Sequence, residues 1–204
     1  MFTGIVQAVG TIAAVAPKGD GLRLAISPGG LDVADVGIGD SIAVNGCCLT
    51  VVAKEGEGGA ARLAFDVSAE TLACTAGLDG RAAVNLEKAL RLSDRLGGHL
   101  MTGHVDGVGT VTGFAPVAAA GTDDGSWRLE IDVPAALARF VAAKGSIAVQ
   151  GVSLTVNGVA GARFHVNLIP HTLAATTLVS LAPGAAVNLE VDLVARYVAR
   201  LNEA

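Results

Sequence analysis

Cys48 and His104 are the two side chains of this sequence whose types and settings most readily do chemistry. A thiolate is a nucleophile, and an imidazole moves protons near neutral pH. Cys48 lies in Asn45-Gly46-Cys47-Cys48-Leu49-Thr50-Val51. Side chains alternate faces along a strand, so Cys48 and Thr50 share one face, and Cys47, Leu49 and Val51 share the other. A second copy tests this reading. Residues 41–51 return as 146–156, with Val152, Leu154 and Val156 in place of Cys47, Leu49 and Val51, and Ser153 and Thr155 in place of Cys48 and Thr50. Cys47 therefore reads as a small core residue and Cys48 as half of a polar pair facing a pocket or solvent. A free cysteine is often simply buried, and a bulge at Gly46 would upset the count. His104, in Thr102-Gly103-His104-Val105, replaces the apolar Ile5 of Thr3-Gly4-Ile5-Val6. His99 stands just before it. His165, set against Asp66, and His171, set against Glu70 and Thr71, read as ordinary surface or hydrogen-bonded histidines. Hydroxyls recur in both copies: Ser41, Thr50 and Thr71 against Ser146, Thr155 and Thr172. Such groups suit a polyhydroxylated or heteroaromatic small molecule.

The elements that position these residues come as two versions of one unit. Residues 2–6 return at 101–105, 41–51 at 146–156 and 83–87 at 186–190, with offsets of 99, 105 and 103 residues. That period exceeds any solenoid repeat and matches a small domain. Val- and Ile-rich runs fall at 5–15, 22–26, 41–52, 62–67 and 82–86, and again at 105–112, 127–133, 146–156, 163–168 and 186–191. Short strands separated by Gly-rich turns, without long helices between them, predict a small antiparallel barrel in each half. Residues 134–141 predict a short helix opened by Pro134, with a weaker counterpart at 31–36. Residues 56–59 and 118–125 read as loop tips, and the halves divide near 91–98. Leu193, Val194, Tyr197, Val198 and Leu201 follow helical spacing, with Arg196 and Arg200 opposite. That stripe packs either on its own barrel or on another subunit.

Composition bounds the rest. Half of the 204 residues are apolar but only seven are aromatic, so the cores are aliphatic. A net charge of −5 without a basic cluster argues against nucleic acid. No apolar run is long enough for a membrane helix, and no basic segment precedes an N-terminal apolar stretch as in a signal peptide. Three cysteines, two of them adjacent, form neither a disulfide framework nor a zinc motif. The four histidines have no metal-ligand spacing, and no phosphate-cradling Gly-rich motif is present. A reduced cytoplasmic protein is expected.

Met1-Phe2-Thr3-Gly4-Ile5-Val6, the Asn45–Val51 motif, Gly97-Gly98-His99-Leu100-Met101-Thr102-Gly103-His104-Val105 and Gly151-Val152-Ser153-Leu154-Thr155-Val156 together resemble the riboflavin synthase family, alpha-chain type, along essentially the whole chain. The resemblance implies an all-β fold of two tandem pseudo-symmetric six-stranded Greek-key barrels with short helices. The barrels span 1–97 and 98–190, and a trimerisation helix spans 191–204. It also implies dismutation of two 6,7-dimethyl-8-ribityllumazine molecules to riboflavin and 5-amino-6-ribitylaminouracil, with no cofactor and no metal. Implied partners are these ligands, two further copies of the chain as a homotrimer, and lumazine synthase. The first substrate is expected on Gly4, Ile5, Val6, Cys48, Leu49, Thr50, Asp66, Val67, Ser68, Ala69, Glu70 and Thr71. The second is expected on Gly103, His104, Val105, Lys144, Ser153, Leu154, Thr155, Asn167, Leu168, Ile169, Pro170, His171 and Thr172. Positions implied to affect turnover are Phe2, Ser41, Cys48, Thr50, His104 and Asp192, although Asp192 also suits a helix N-cap. The productive site is expected between the first barrel of one subunit and the second barrel of its neighbour, with Cys48 and His104 contributed by different subunits. Lumazine proteins of luminous bacteria, which bind a chromophore without turnover, are the alternative. They depart at the reactive positions, whereas this chain keeps Cys48 and His104.

Overall fold

A computed structural model describes residues 1–117 and 125–203; residues 118–124 of the expected loop tip at 118–125 lie outside them. Each half contributes six strands. The first has β1 (Ala8–Lys18), β2 (Gly21–Ser27), β3 (Ser41–Val44), β4 (Cys47–Glu55), β5 (Arg62–Val67) and β6 (Ala83–Lys88). The second has β7 (Gly107–Pro116), β8 (Trp127–Asp132), β9 (Ser146–Val149), β10 (Val152–Ala160), β11 (Arg163–Leu168) and β12 (Ala186–Val191). Both sheets close into barrels with one antiparallel order, β1-β2-β5-β4-β3-β6 and β7-β8-β11-β10-β9-β12.

The apolar run 41–52 is a hairpin rather than one strand. Asn45 and Gly46 have φ of 47° and 82°, as do Gln150 and Gly151 at 50° and 76°, the left-handed pair that a tight two-residue hairpin requires. This turn supplies the sixth strand of each barrel. The alternation from Cys47 onward survives it: Cys47, Leu49 and Val51 are buried, while Cys48 is half-buried and Thr50 exposed. Inward side chains such as Ile12, Leu24, Ile26, Leu63 and Phe65 fill the first core. Val111, Leu129, Ile131, Phe164 and Val166 do the same in the second.

The helices are short. The segment expected helical at 134–141 is α2, only Ala135–Ala138, and 31–36 holds a single turn closed by the Val36 N–H on the Val33 carbonyl. Residues 58–60 of the Gly-rich tip wind into one 3-10 turn. Two helices absent from the sequence reading follow β5 and β11. These are α1 (Ala69–Cys74), capped by Ser68 Oγ accepting from the Thr71 N–H, and α3 (Pro170–Ala175), opened by Pro170. The last, α4 (Leu193–Leu201), is N-capped by Asp192 Oδ1 accepting from the Val194 N–H at 2.9 Å. Its apolar stripe does not pack on its own barrel: Val194, Tyr197 and Leu201 are 68, 63 and 76% exposed.

A third cluster, Phe2, Ala43, Met101 and Ala148, lies between the barrels. Phe2 and Met101 pair as a two-bond antiparallel bridge at 2.8 and 3.1 Å. The repeated asparagines lock the barrels reciprocally. Asn85 donates to the Gln150 carbonyl at 2.9 Å and accepts from the Thr177 N–H at 2.8 Å. Asn188 donates to the Asn45 carbonyl at 3.1 Å and accepts from the Ala76 N–H at 2.7 Å.

Candidate active site

The repeated Thr-Gly-x-Val segments are held by the glutamates that close the repeated Val-Asn-Leu-Glu motif. Glu87 accepts from the Thr3 N–H and hydroxyl, both at 2.7 Å, and from the Gly4 N–H at 3.0 Å. Glu190 does the same for Thr102, at 2.6 and 2.7 Å, and for Gly103 at 3.0 Å. Burial pushes the Glu87 carboxyl upward, opposed by the Thr3 and Gly4 donors. So anchored, each segment crosses to the other barrel. The Cys48 N–H donates to the Gly103 carbonyl at 2.8 Å, and the Ser153 N–H to the Gly4 carbonyl at 2.8 Å. Val105 packs on the first core and Val6 on the second.

This exchange corrects the expected division of ligand contacts. Gly103, His104 and Val105 belong with the first barrel, and Gly4, Ile5 and Val6 with the second. Cys48 and His104, expected from different subunits, line one cleft of about 200 Å³ within one chain, together with Glu70, Thr71, Cys74, Thr75, Gly103 and Val105. The fit at its floor is close. Gly103 has φ of 79°, and a Cβ there would stand 2.6 Å from Cys48 Cβ, so only glycine is accommodated without displacement. The vicinal thiols differ as the alternation predicts. Burial pushes the Cys47 thiol up to about 12, leaving it an inert core group. Cys48 faces the cleft.

Equal burial patterns align β5 (Arg62–Val67) with β11 (Arg163–Leu168) residue for residue. Asn167 is therefore the counterpart of Asp66, and His165 that of Ala64, which corrects the pairing of His165 with Asp66. The same register carries Glu70, Thr71, Cys74 and Thr75 onto His171, Thr172, Ala175 and Thr176. The mouth of the second barrel thus has Ser153 for Cys48, Ile5 for His104, His171 for Glu70 and Ala175 for Cys74.

Other expected residues scatter. Ser41 pairs directly across from Thr50 on the outer face of the hairpin, two pairs beyond Ala43 and Cys48. Ser41 lines a separate polar cleft of about 450 Å³ with Asp35, Asp40, Lys88 and Arg91. Phe2 is wholly buried between the barrels. The Asp66 carboxylate turns outward to Arg23 at 2.6 and 2.7 Å, which holds its pKa below the usual carboxylate range. Val67, Leu49, Leu154 and Leu168 point into the cores, so only their backbones are available to a ligand. Ser68 is spent capping α1, and Ala69, Ile169 and Pro170 are exposed where the short helices begin. Thr155 is exposed on β10. The Asn167 N–H donates to Asn157 Oδ1 at 2.9 Å. Lys144 is exposed and left-handed, φ 65°, at the position of Gly39 in the first half, and each donates its N–H to a core strand carbonyl at 2.8 Å.

Two groups were missed. Cys74 lies four residues after Glu70 on α1, and its Sγ–H donates to Glu70 Oε1 at 3.5 Å, raising the thiol pKa. Only recognition of that helix reveals the spacing. His99 is buried, with Nδ1 2.7 Å from Ser153 Oγ. Among the described residues no cluster of His, Cys, Asp or Glu is arranged to hold a metal ion.

The sequence matches the Lumazine binding domain family model twice, over residues 3–89 and 102–192. It is 46% identical over 207 residues to a riboflavin synthase of Mycobacterium tuberculosis, covering 98% of each chain. It is 44% identical over 203 residues to that of Photobacterium phosphoreum, covering 98% of this chain and 88% of the other. Among solved structures, LumP complexed with riboflavin superposes with a TM-score of 0.81 at 28% identity, covering 94% of this chain and 99% of the other. LumP complexed with 6,7-dimethyl-8-(1'-D-ribityl) lumazine gives 0.77 at 27%. With two matched domains and relatives this similar over nearly its full length, the chain belongs to the riboflavin synthase family of tandem lumazine-binding proteins.

Proposed function

We infer that this chain catalyses the riboflavin synthase reaction. Two molecules of 6,7-dimethyl-8-ribityllumazine dismutate, one giving a four-carbon unit to the other, to form riboflavin and 5-amino-6-ribitylaminouracil. The single observation that carries the reading is the cleft in which Cys48 and His104 meet at the mouth of a lumazine-binding barrel. The 7-methyl group of a lumazine is acidified by its electron-poor ring. An imidazole at the cleft rim, exposed as His104 is, suits removal of that proton near neutral pH. Cys48 suits addition to, or close support of, the ring beside it. Much of the rate then comes from holding two rings face to face, where effective molarity reaches about 10⁵ M or more.

Each chain has one reactive mouth and one made from Ser153, Ile5 and His171. We propose that the productive pair forms where the first barrel of one subunit meets the second barrel of the next, in a homotrimer docked through α4. The exposed apolar face of α4 supports this, since a stripe of Val194, Tyr197, Val198 and Leu201 left in water is unfavourable. Under this arrangement Lys144 and the residues around Ile169–Thr172 serve the second-barrel ligand. Ser41 and Thr50 sit on the outer hairpin face beside Cys48, within reach of a neighbouring subunit. No helix among the described residues is long and apolar enough to cross a membrane, and three free thiols suit a reducing, cytoplasmic setting. The assembly proposed here is of copies of this chain.

Incubation with 6,7-dimethyl-8-ribityllumazine as sole substrate tests the reading. Riboflavin and the ribitylaminouracil are expected in equal amounts, unaffected by EDTA. Tight binding without turnover would instead place the chain with non-catalytic lumazine carriers.

A further inference from the structure

The first mouth presents a thiol, Cys48, and the second presents the hydroxyl of Ser153 at the same position. That hydroxyl is backed by an imidazole that the first barrel lacks. His99 Nδ1 lies 2.7 Å from Ser153 Oγ. His99 itself is 8% exposed and anchored by its N–H, which donates to the Thr3 carbonyl at 3.1 Å. Its other ring nitrogen, Nε2, is buried and has no hydrogen-bond partner among the described residues. Burial lowers the imidazole pKa, with Asp192 opposing, which favours the neutral ring. The backbone beside it is pressed onto the same serine: a Cβ at Gly98 would stand 2.1 Å from the Thr3 carbonyl oxygen and 2.9 Å from Ser153 Oγ.

A residue kept there only to fill space would be apolar, because a buried ring nitrogen without a partner is costly. What the imidazole supplies and a leucine does not is the bond to Ser153. A serine hydroxyl rotates freely unless one partner fixes it. With Nδ1 accepting, the Ser153 O–H is directed at the ring and its lone pairs are left for a ligand; with Nδ1 donating, the hydroxyl proton is left to be given to one.

We propose that His99 is a positioning residue for the second-barrel ligand, acting through Ser153 by holding its hydroxyl in one orientation at the mouth formed with Gly4 and Ile5. The inference rests on the second barrel taking a lumazine, as proposed above. It assigns the two half-sites different means of engaging the same molecule: a thiol with an exposed imidazole in one, and a hydroxyl oriented by a buried imidazole in the other.

Steady-state kinetics of four proteins test it. His99→Leu removes the hydrogen-bonding nitrogen, Ser153→Ala removes the hydroxyl, and the double variant removes both. His99→Asn places an amide near the position of Nδ1. His99→Leu and Ser153→Ala should each lower kcat by about 100-fold with a smaller change in KM, the magnitude expected when a reacting group loses its alignment. The double variant should be no worse than either, and His99→Asn should recover most of the loss. Wild-type kcat in His99→Leu, multiplicative losses in the double variant, or His99→Asn as poor as His99→Leu would each overturn the proposal. Should His99→Leu fail to fold, His99→Ala alone and combined with Ser153→Ala measures the same coupling. Wild-type protein that makes no riboflavin would overturn the functional reading and this inference with it. An active wild type beside an unimpaired His99→Leu overturns this inference alone.

Discussion

The two barrels share strand order, hairpin turns, glutamate clamps and reciprocal asparagine bonds, yet the chemistry of their mouths differs. Cys48, His104, Glu70 and Cys74 in the first correspond to Ser153, Ile5, His171 and Ala175 in the second. What the copies keep is what builds and joins the barrels. Among what they change are the rims where ligand is expected. The exchanged Thr-Gly-x-Val segments make this contrast chemical, because each half completes the other's mouth. His104, encoded in the second half, therefore lines the mouth of the first.

The comparison breaks most severely when the first mouth is converted into a copy of the second. Cys48→Ser with His104→Ile should lower the rate of riboflavin formation by about 10²-fold or more, the scale of a lost proton-transfer group, while leaving the circular dichroism spectrum native. Near-normal turnover would remove the first mouth from the chemistry. Next in size is the interlock. Asn85→Ala and Asn188→Ala each strand buried partners in the opposite barrel, and each should cost about 1–3 kcal/mol in urea unfolding. Comparable losses mark a symmetric joint, and a loss at one site alone marks a lopsided one. Cys47→Val imports the second-copy residue into the first core. It should change stability by about 1.5 kcal/mol or less and spare activity, unlike Cys48→Ala. The smallest effect is on pH dependence. His99 is harder to protonate folded than unfolded, so its contribution to stability is complete above the unfolded value of about 6.5 and declines as pH falls below it. His99→Asn should flatten that part of the stability–pH curve, and an unchanged curve would mean that His99 is not the group responsible.

Much of this contrast is legible in the sequence. Period-two alternation separates Cys47 from Cys48 because both copies can be overlaid on one strand, and the outcome survives the hairpin turn. That turn is itself readable, since Asn45-Gly46 is the strongest short hairpin signal, although Gln150-Gly151 hides the second copy. The α4 helix and its Asp192 cap follow from spacing and capping chemistry. The exchange of segments leaves no such trace. Thr3 to Val6 and Thr102 to Val105 are too short and too alike to declare which barrel they serve, and only tertiary hydrogen bonds through Gly4 and Gly103 decide it. The helices α1 and α3 have six residues each, below the length at which periodicity speaks, so Cys74 had no visible link to Glu70. The pairing of His165 with Asp66 fails for want of a strand register, which side-chain chemistry alone does not supply.

The central claim is that one chain carries Cys48 and His104 in one mouth and Ser153 in the other, and that mouths of different kinds meet between subunits. Co-refolding of inactive variants measures it directly. In trimers mixed from Cys48→Ala and Ser153→Ala chains, an intact first mouth can face an intact second mouth, and about one interface in four should be whole for a head-to-tail ring. In trimers mixed from Cys48→Ala and His104→Ala chains, every first mouth is damaged, and no activity should return. Recovery in the second mixture, or its absence from verified mixed trimers of the first, would contradict the account.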